Sequence, residues 1–146
     1  MTNPQMPGVP ASGLSTDWRN DPDLSEKWKF RFNFFEENGV PSMGPPSPKM
    51  KAAFKALGFT DRLKVNMNFF AFFFSAIYFA VGLKMWRQAL VALGLILAFG
   101  LIGAIFNLPD PVMRGGGVGL QMLFGLRANA LYYLQRTKGD IGWKFL

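Results

Sequence analysis

The 146-residue chain contains no cysteine and no histidine. The first absence excludes disulfides, thiolate zinc sites and thiol nucleophiles; the second excludes imidazole bases and histidine-ligated haem. Acidic residues are scarce as well, nine Asp and Glu against sixteen Lys and Arg, and seven of the nine precede residue 62. Nothing in the remaining spacing assembles an acid/base pair, an activated nucleophile or a metal cluster. The chain is expected to be a non-enzyme without metal or cofactor.

Charge of either sign is low, 17% of residues against roughly 25% in soluble domains. Half of the chain is hydrophobic, with 16 Phe. Ala89 to Leu108 is a run of 20 residues whose only polar member is Asn107. At about 1.5 Å per residue it just covers a hydrocarbon core of roughly 30 Å. A buried helix of a soluble domain would normally keep a polar face, and this run has none, so a membrane-spanning helix is expected.

The net charge of +7 is unevenly placed. Met1 to Leu83 hold nine basic and seven acidic residues; from Lys84 onward seven basic residues face only Asp110 and Asp140. The basic residues flank apolar segments and do not form a stripe with readout residues between them, which argues against nucleic-acid binding. Anionic lipid headgroups are the expected counter-charge.

Residues 1–22 read as a flexible tail, with three Pro and two Gly in the first 20 positions and no apolar core of a signal peptide. A cytoplasmic amphipathic arm is expected over residues 23–64. Asp23 and Glu26 have capping-box spacing, and Gly39 stands as a C-terminal stop. Between them Leu24, Trp28, Phe32 and Phe35 share one face, while Lys27, Lys29 and Arg31 spread around the other. Such a stripe suits the membrane surface, docking on a neighbouring segment, or an ordinary amphipathic helix on its own domain. Residues 40–48, with four Pro, break the helix, and Ser47-Pro48 suits the start of the next. Thr60 can cap a further turn.

A membrane domain is expected over residues 65–138, with apolar segments at about 66–83, 88–108 and 118–135 and a C-terminal tail at 139–146. The fold class is thus all-α, with two to three hydrophobic helices and short N-terminal amphipathic ones. The apolar part of the first segment, Phe69 to Leu83, has 15 residues, about 22 Å of helix, which is short for a span. Asn66 to Leu83 can still be counted as a tilted span, but a re-entrant hairpin leaves Lys84 and Arg87 on the side of the arm. The second segment then crosses outward, LPDPVMRGGG turns, and the third segment returns Arg136, Lys138 and Lys144, as the positive-inside rule requires. Both termini are then cytoplasmic.

Arg127 and Asn129 fall inside the third segment, where a lipid-facing Arg costs several kcal/mol. With no carboxylate in the apolar segments, Asn66, Asn68 or Gln121 are the expected neutral partners of Arg127. Asn66, Asn68, Trp86, Arg87, Arg127 and Asn129 are therefore the expected lipid or partner contacts. The bland reading of Arg127 is that it snorkels to a phosphate or fixes packing. Gly94 with Ala98 and Gly100 with Ala104 have the spacing of a close helix approach. Arg114 to Gly119, RGGGVG, lacks the preceding strand and the Lys-Ser/Thr of a phosphate loop and reads as a flexible turn.

NMNFFAFFFSAIYFAVGLKMWRQAL, Asn66 to Leu90, resembles the signature of the small bacterial inner-membrane proteins catalogued as domain of unknown function 2628. KWKFRFNFFEENGVP from Lys27, the lead-in from Phe54, and the spacing of Gly125, Arg127, Asn129 and Tyr132 are similar to it too, over roughly residues 25–138. The chain departs at Ser75-Ala76, where the family often has Gly-Pro, and the replacement is expected to remove a kink that favours re-entry. The resemblance implies an inner-membrane location and no reaction. The expected role is an accessory or scaffold subunit, contacting lipid and a larger membrane complex or further copies of itself; the alternative is a small transporter, pore or lipid-handling protein using Arg127 as an anion site.

Overall fold

The computed structural model describes residues 18–41, 44–139 and 141–145. Most of the expected tail, residues 1–17, lies outside them. The described residues form helices and connecting turns, with no strand. In chain order these are a 3-10 turn (Trp18–Asn20), α1 (Glu26–Asn38), α2 (Pro48–Ala56), α3 (Phe59–Asn66), α4 (Phe69–Ile77), a π-helical turn (Tyr78–Gly82), α5 (Trp86–Ile105) and α6 (Asp110–Lys138).

Local chemistry accounts for most boundaries. Ser47 Oγ accepts from Met50 N at 3.2 Å, with Pro48 opening α2. Gly39, at φ 86°, ends α1 by supplying the left-handed conformation. Two expected caps differ: α1 starts after Ser25, so the Asp23/Glu26 box is not used, and α3 starts after Gly58, ahead of Thr60.

The aromatic stripe of α1 docks on α6. Trp28 meets the Tyr132 ring at 4.6 Å, and Phe32 and Phe35 meet Tyr133 at 5.1 and 5.5 Å. Trp18 joins this cluster at 3% exposure, so the chain is already packed four residues before the expected end of the tail. Arg31, expected on the open side, is buried, because its Nε donates to the Lys64 carbonyl at 2.5 Å and its guanidinium lies over Trp28.

Two helical runs are apolar and long enough to cross a membrane by length and composition alone, Phe59–Gly82 and Trp86–Ile105. The first is not one rod. It breaks between α3 and α4 and turns sharply at Ser75, whose φ of 45° and ψ of −123° are far from helical. Phe70 stacks on Tyr78 at 5.7 Å, and Asn68 Nδ2 reaches Tyr78 Oη at 3.4 Å. Ten residues of straight helix would hold those groups about 15 Å apart. The segment is therefore a short hairpin, and the kink that Ser75-Ala76 was expected to remove is present. Both legs return to one level of α6. Asn68 N donates to the Gly125 carbonyl at 2.9 Å, and Phe79 packs with Phe124 and Phe145 in the core.

α5 and α6 form a long antiparallel hairpin. Their connection is Phe106–Pro109, with Asn107 at φ 52°, not the expected LPDPVMRGGG turn. Helix α6 opens on Asp110-Pro111 and runs straight through Gly115–Gly119. The flexible-turn reading fails because Gly116 is where α5 comes close: a Cβ there would land on the Phe99 ring, and one on Gly103 would land on Met113. The small residues expected to make that approach do not; Gly94 and Gly100 face open space and Ala98 and Ala104 are exposed. Gly116→Leu should accordingly lower the unfolding midpoint in detergent by a shift worth about 1–3 kcal/mol of overpacking. Gly115→Leu, in open space, should not lower it, and equal midpoints for the two would refute this packing.

The far half of that hairpin is clad in exposed apolar side chains, among them Leu97, Leu101, Ile105, Phe106 and Val118, and the tip of the short hairpin adds Phe73, Phe74 and Ile77. The base, where all elements meet, holds the core of Phe79, Leu83, Met85, Ala92, Phe124, Ala128, Leu131 and Phe145. Residues 141–145 are thus not a loose tail. They fold back so that Phe145, 4% exposed, fills the bottom of the bundle.

Candidate functional site

Several polar side chains of the apolar segments meet at the base, in three groups. In the first, Asn68 and Asn129 are buried and joined by an Nδ2-to-Oδ1 hydrogen bond of 3.1 Å. Asn129 Nδ2 also donates to the carbonyls of Val65 and Lys64, at 2.9 and 3.3 Å. Asn68 Oδ1 caps α4, accepting from Phe70 N and Ala71 N. The pair satisfies the backbone groups freed where α3 breaks into α4, which is chain-internal work. Asn66 is exposed and joins none of the groups.

The second group holds the C-terminal segment. Arg127, 8% exposed, donates from Nε to the Phe145 carbonyl at 3.1 Å and from Nη1 to the Pro41 carbonyl at 2.7 Å. The neutral partners expected from the sequence, Asn66, Asn68 and Gln121, make no hydrogen bond to it; main-chain oxygens of the arm and the C-terminal segment take that place. Gln88, buried, donates from Nε2 to the carbonyls of Gly142 and Lys144 at 2.9 and 3.1 Å. Among the described residues no buried side-chain N or O lacks a partner.

The third group lies at the rim. Trp86 and Trp143 meet edge to face at 5.7 Å, and the Arg87 guanidinium lies 5.2 and 5.9 Å from their rings. Lys84, at φ 55°, precedes them. Beside this rim is a cavity of about 380 Å³ lined by Lys84, Met85, Trp86, Arg87, Gln88, Gln135 and Gly139. A second, of about 460 Å³, shares Lys84 and Gln135 and adds Asp23, Tyr132 and Arg136, whose guanidinium pairs with Asp21. Among the described residues, the lining of the first cavity carries two cations, Lys84 and Arg87.

On the arm side, burial pulls the Arg31 guanidinium down to about 10, and burial with the nearby Arg31 and Lys64 charges lowers Lys27. Arg31 thus keeps its proton at neutral pH. Among the described residues no three His, Cys, Asp or Glu side chains converge on a metal-sized space.

The structure therefore brings Asn68 to Asn129 and Trp86 to Arg87, and sets Arg127 apart with the tail. Sequence reasoning missed Gln88, Trp143, Gln135 and Phe145. Gln88 carried a signal, being the last polar residue before the charge-free run; Trp143 and Phe145 carried none, because their place depends on the C-terminal segment folding back, and Gln135 meets Lys84 only through the packing of α6.

The family described as "Protein of unknown function (DUF2628)" matches residues 17–138 of the chain. The chain belongs to this family. The "Uncharacterized protein YigF" of Escherichia coli (strain K12) is 37% identical over 130 residues, covering 89% of this chain and 98% of that protein. The protein of the same name from Salmonella typhimurium is 38% identical over 132 residues, with the same coverage. No solved structure matches. The matched residues include all three polar groups of the base except the C-terminal segment that two of them hold.

Proposed function

We propose that this chain is a non-catalytic accessory or scaffold subunit of the bacterial cytoplasmic membrane, anchored by the α5–α6 hairpin and the shorter Phe-rich hairpin, with arm and C-terminal segment together on the cytoplasmic side. The observation that carries the reading is the distribution of exposed side chains. Among the described residues, nineteen of the twenty-two exposed large hydrophobic ones lie between Phe69 and Leu126. Monomeric soluble proteins rarely leave a contiguous apolar surface of that kind open to water. Between Arg87 and Asp110 there is no charge at all, and Lys84, Arg87, Arg136, Lys138 and Lys144 belong to the opposite end from Asp110 and Arg114. That asymmetry favours the base as the cytoplasmic side.

An accessory role is supported by what the hairpin is made of. Two helices alone enclose no polar pathway, and both named donors of Arg127 are engaged by main-chain carbonyls, which disfavours it as an anion site for transport. What is left to offer is surface: lipid-facing helices, and on the arm Phe59, 77% exposed, between Lys55 and Arg62.

The test uses single cysteines in this cysteine-free chain, at the exposed positions Lys51, Lys84, Asp110 and Lys138. The expected result in intact cells is labelling of Asp110→Cys alone by an impermeant thiol reagent. Labelling of Lys84→Cys from outside would make the Phe-rich segment a full span and overturn the topology. Recovery of the protein in the soluble fraction after cell rupture would overturn the membrane reading itself.

A further inference from the structure

We infer that the outer face of α2 and α3, with Lys51, Lys55 and Phe59 at its centre, docks on the anionic lipid surface of the same membrane that the two hairpins enter, placing the Phe59 ring in the headgroup layer. The inference rests on the membrane reading above and names the surface that the arm takes up.

The first observation is which face of the arm remains open. The aromatic stripe of α1 is used against α6, and α2 turns its own apolar residues inward: Met50 is 4% exposed, and the Phe54 ring lies 4.8 Å from that of Phe34. Lys51 and Lys55, one turn apart, are thereby left on the outer side of α2. Both are exposed, as is Lys49, and none of the three makes an ion pair among the described residues. From Pro48 to Asn66 there are five basic residues and one acidic one, Asp61, which is already paired with Lys64 at 3.0 Å. The open face lacks a counter-charge, and an anionic leaflet supplies one.

The second is the ring set among those cations. Phe59 is 77% exposed, more than any other large hydrophobic residue described. It is held in that position by its neighbours. Arg62 donates from Nε to the Leu57 carbonyl at 3.0 Å and from Nη2 to the Lys55 carbonyl at 2.9 Å, which closes the turn between α2 and α3 and fixes Phe59 at the start of α3. Exposed lysines beside an aromatic residue are what a short helix needs to lie in the headgroup layer.

The third is place. Helix α3 has eight residues, about 12 Å of rise, and α4 starts three residues after its end with the exposed Phe69 and Phe70. Phe59 therefore sits within roughly 20 Å of the point where the chain enters the apolar layer. Asn129 on α6 holds the carbonyls of Lys64 and Val65, so α3 cannot swing away from the bundle without losing those bonds. A soluble acidic protein would complement the lysines, but it would have to reach a face that the chain keeps beside the bilayer.

The experiment places a nitroxide spin label on Thr60→Cys, an exposed position beside Phe59, in the full-length protein in vesicles. With phosphatidylglycerol in the vesicles, the label is expected to lose mobility and to become more accessible to oxygen than to a water-soluble nickel complex; in pure phosphatidylcholine it should stay in water. The ratio of docked to free label should fall roughly fivefold for Lys51→Gln or Lys55→Gln and roughly 25-fold for the two together. Phe59→Ser should keep the label out of the oxygen-rich layer in either lipid. Lys138→Gln, an equal charge change away from this face, should alter nothing. Identical spectra in the two lipids, in vesicles that have taken up the protein, overturn the docking and leave the membrane reading standing. Failure of the protein to enter vesicles overturns the membrane reading. An equal loss in Lys138→Gln reduces the effect to net charge and overturns the surface. A label that stays in water in phosphatidylglycerol vesicles but is immobilised in native inner-membrane vesicles assigns the face to a protein partner and overturns the lipid.

Discussion

Phe145→Ala should lower the stability of the purified protein by about 3–5 kcal/mol, the usual cost of emptying a buried aromatic site. Phe145 is 4% exposed, with ring contacts of 5.5 Å to Phe79 and 5.7 Å to Phe124, so one side chain near the end of the chain joins the short hairpin to α6. Ending the chain after Ile141 should cost more. It also strips Gln88 of both its acceptors and Arg127 of the Phe145 carbonyl. A buried polar group left without its partner costs on the order of 1–3 kcal/mol, and a charged one more.

This gives a comparison whose sign can be read. In the full chain Arg127→Met should destabilise, because it leaves the carbonyls of Pro41 and Phe145 without a donor. In the chain ending at Ile141 the same substitution should be neutral or stabilising, since it removes a buried cation that has lost part of its solvation. Unfolding midpoints of the four proteins in one detergent check it. Destabilisation of equal size in both backgrounds would show that Arg127 does not act through the C-terminal segment.

The second large effect is expected at the asparagine pair. Asn129→Leu removes the donor to the Val65 and Lys64 carbonyls and the acceptor of Asn68 Nδ2, all in a site with no solvent exposure at Asn129. The expected loss is about 3 kcal/mol, from two to three groups left unpaired. Asn68→Ala should cost a similar amount, because it also removes the cap of α4. Together the two should fall short of the sum by about 0.5–3 kcal/mol, the range of coupling for directly bonded residues. Strict additivity would mean that the 3.1 Å contact carries no energy and that each Asn serves its own backbone neighbours alone.

Much of the architecture was legible in the residues. The charge-free run from Ala89 became α5, Ser47-Pro48 and Gly39 marked true helix ends, and the 15-residue length of the Phe-rich segment pointed to a hairpin. These signals are local, because propensity, capping and apolar length act within a few residues of one another. Where the reading failed, a local rule met a distant partner. RGGGVG has the composition of a turn, yet α6 runs through it because Phe99 of α5 packs where Gly116 has no side chain. Gly94 and Ala98 have the spacing of an interface, but that face of α5 is open. Arg31 is an ordinary cation in sequence and buried in the fold, and Arg127, expected to turn from lipid toward amide side chains, meets main-chain carbonyls, since the groups that receive the two belong to Lys64, Pro41 and Phe145.

Composition and period by themselves determined a helical protein with long apolar runs, cations flanking those runs, and no thiol or imidazole group. Only the tertiary structure decided which polar residues meet. Arg127 finds its acceptors 18 residues ahead and 86 residues behind, and Asn129 finds its partner 61 residues behind. Separations of that length leave no period in a sequence. They are set by how the short hairpin, the arm and the C-terminal segment close on α6, where each buried donor must find an acceptor without water.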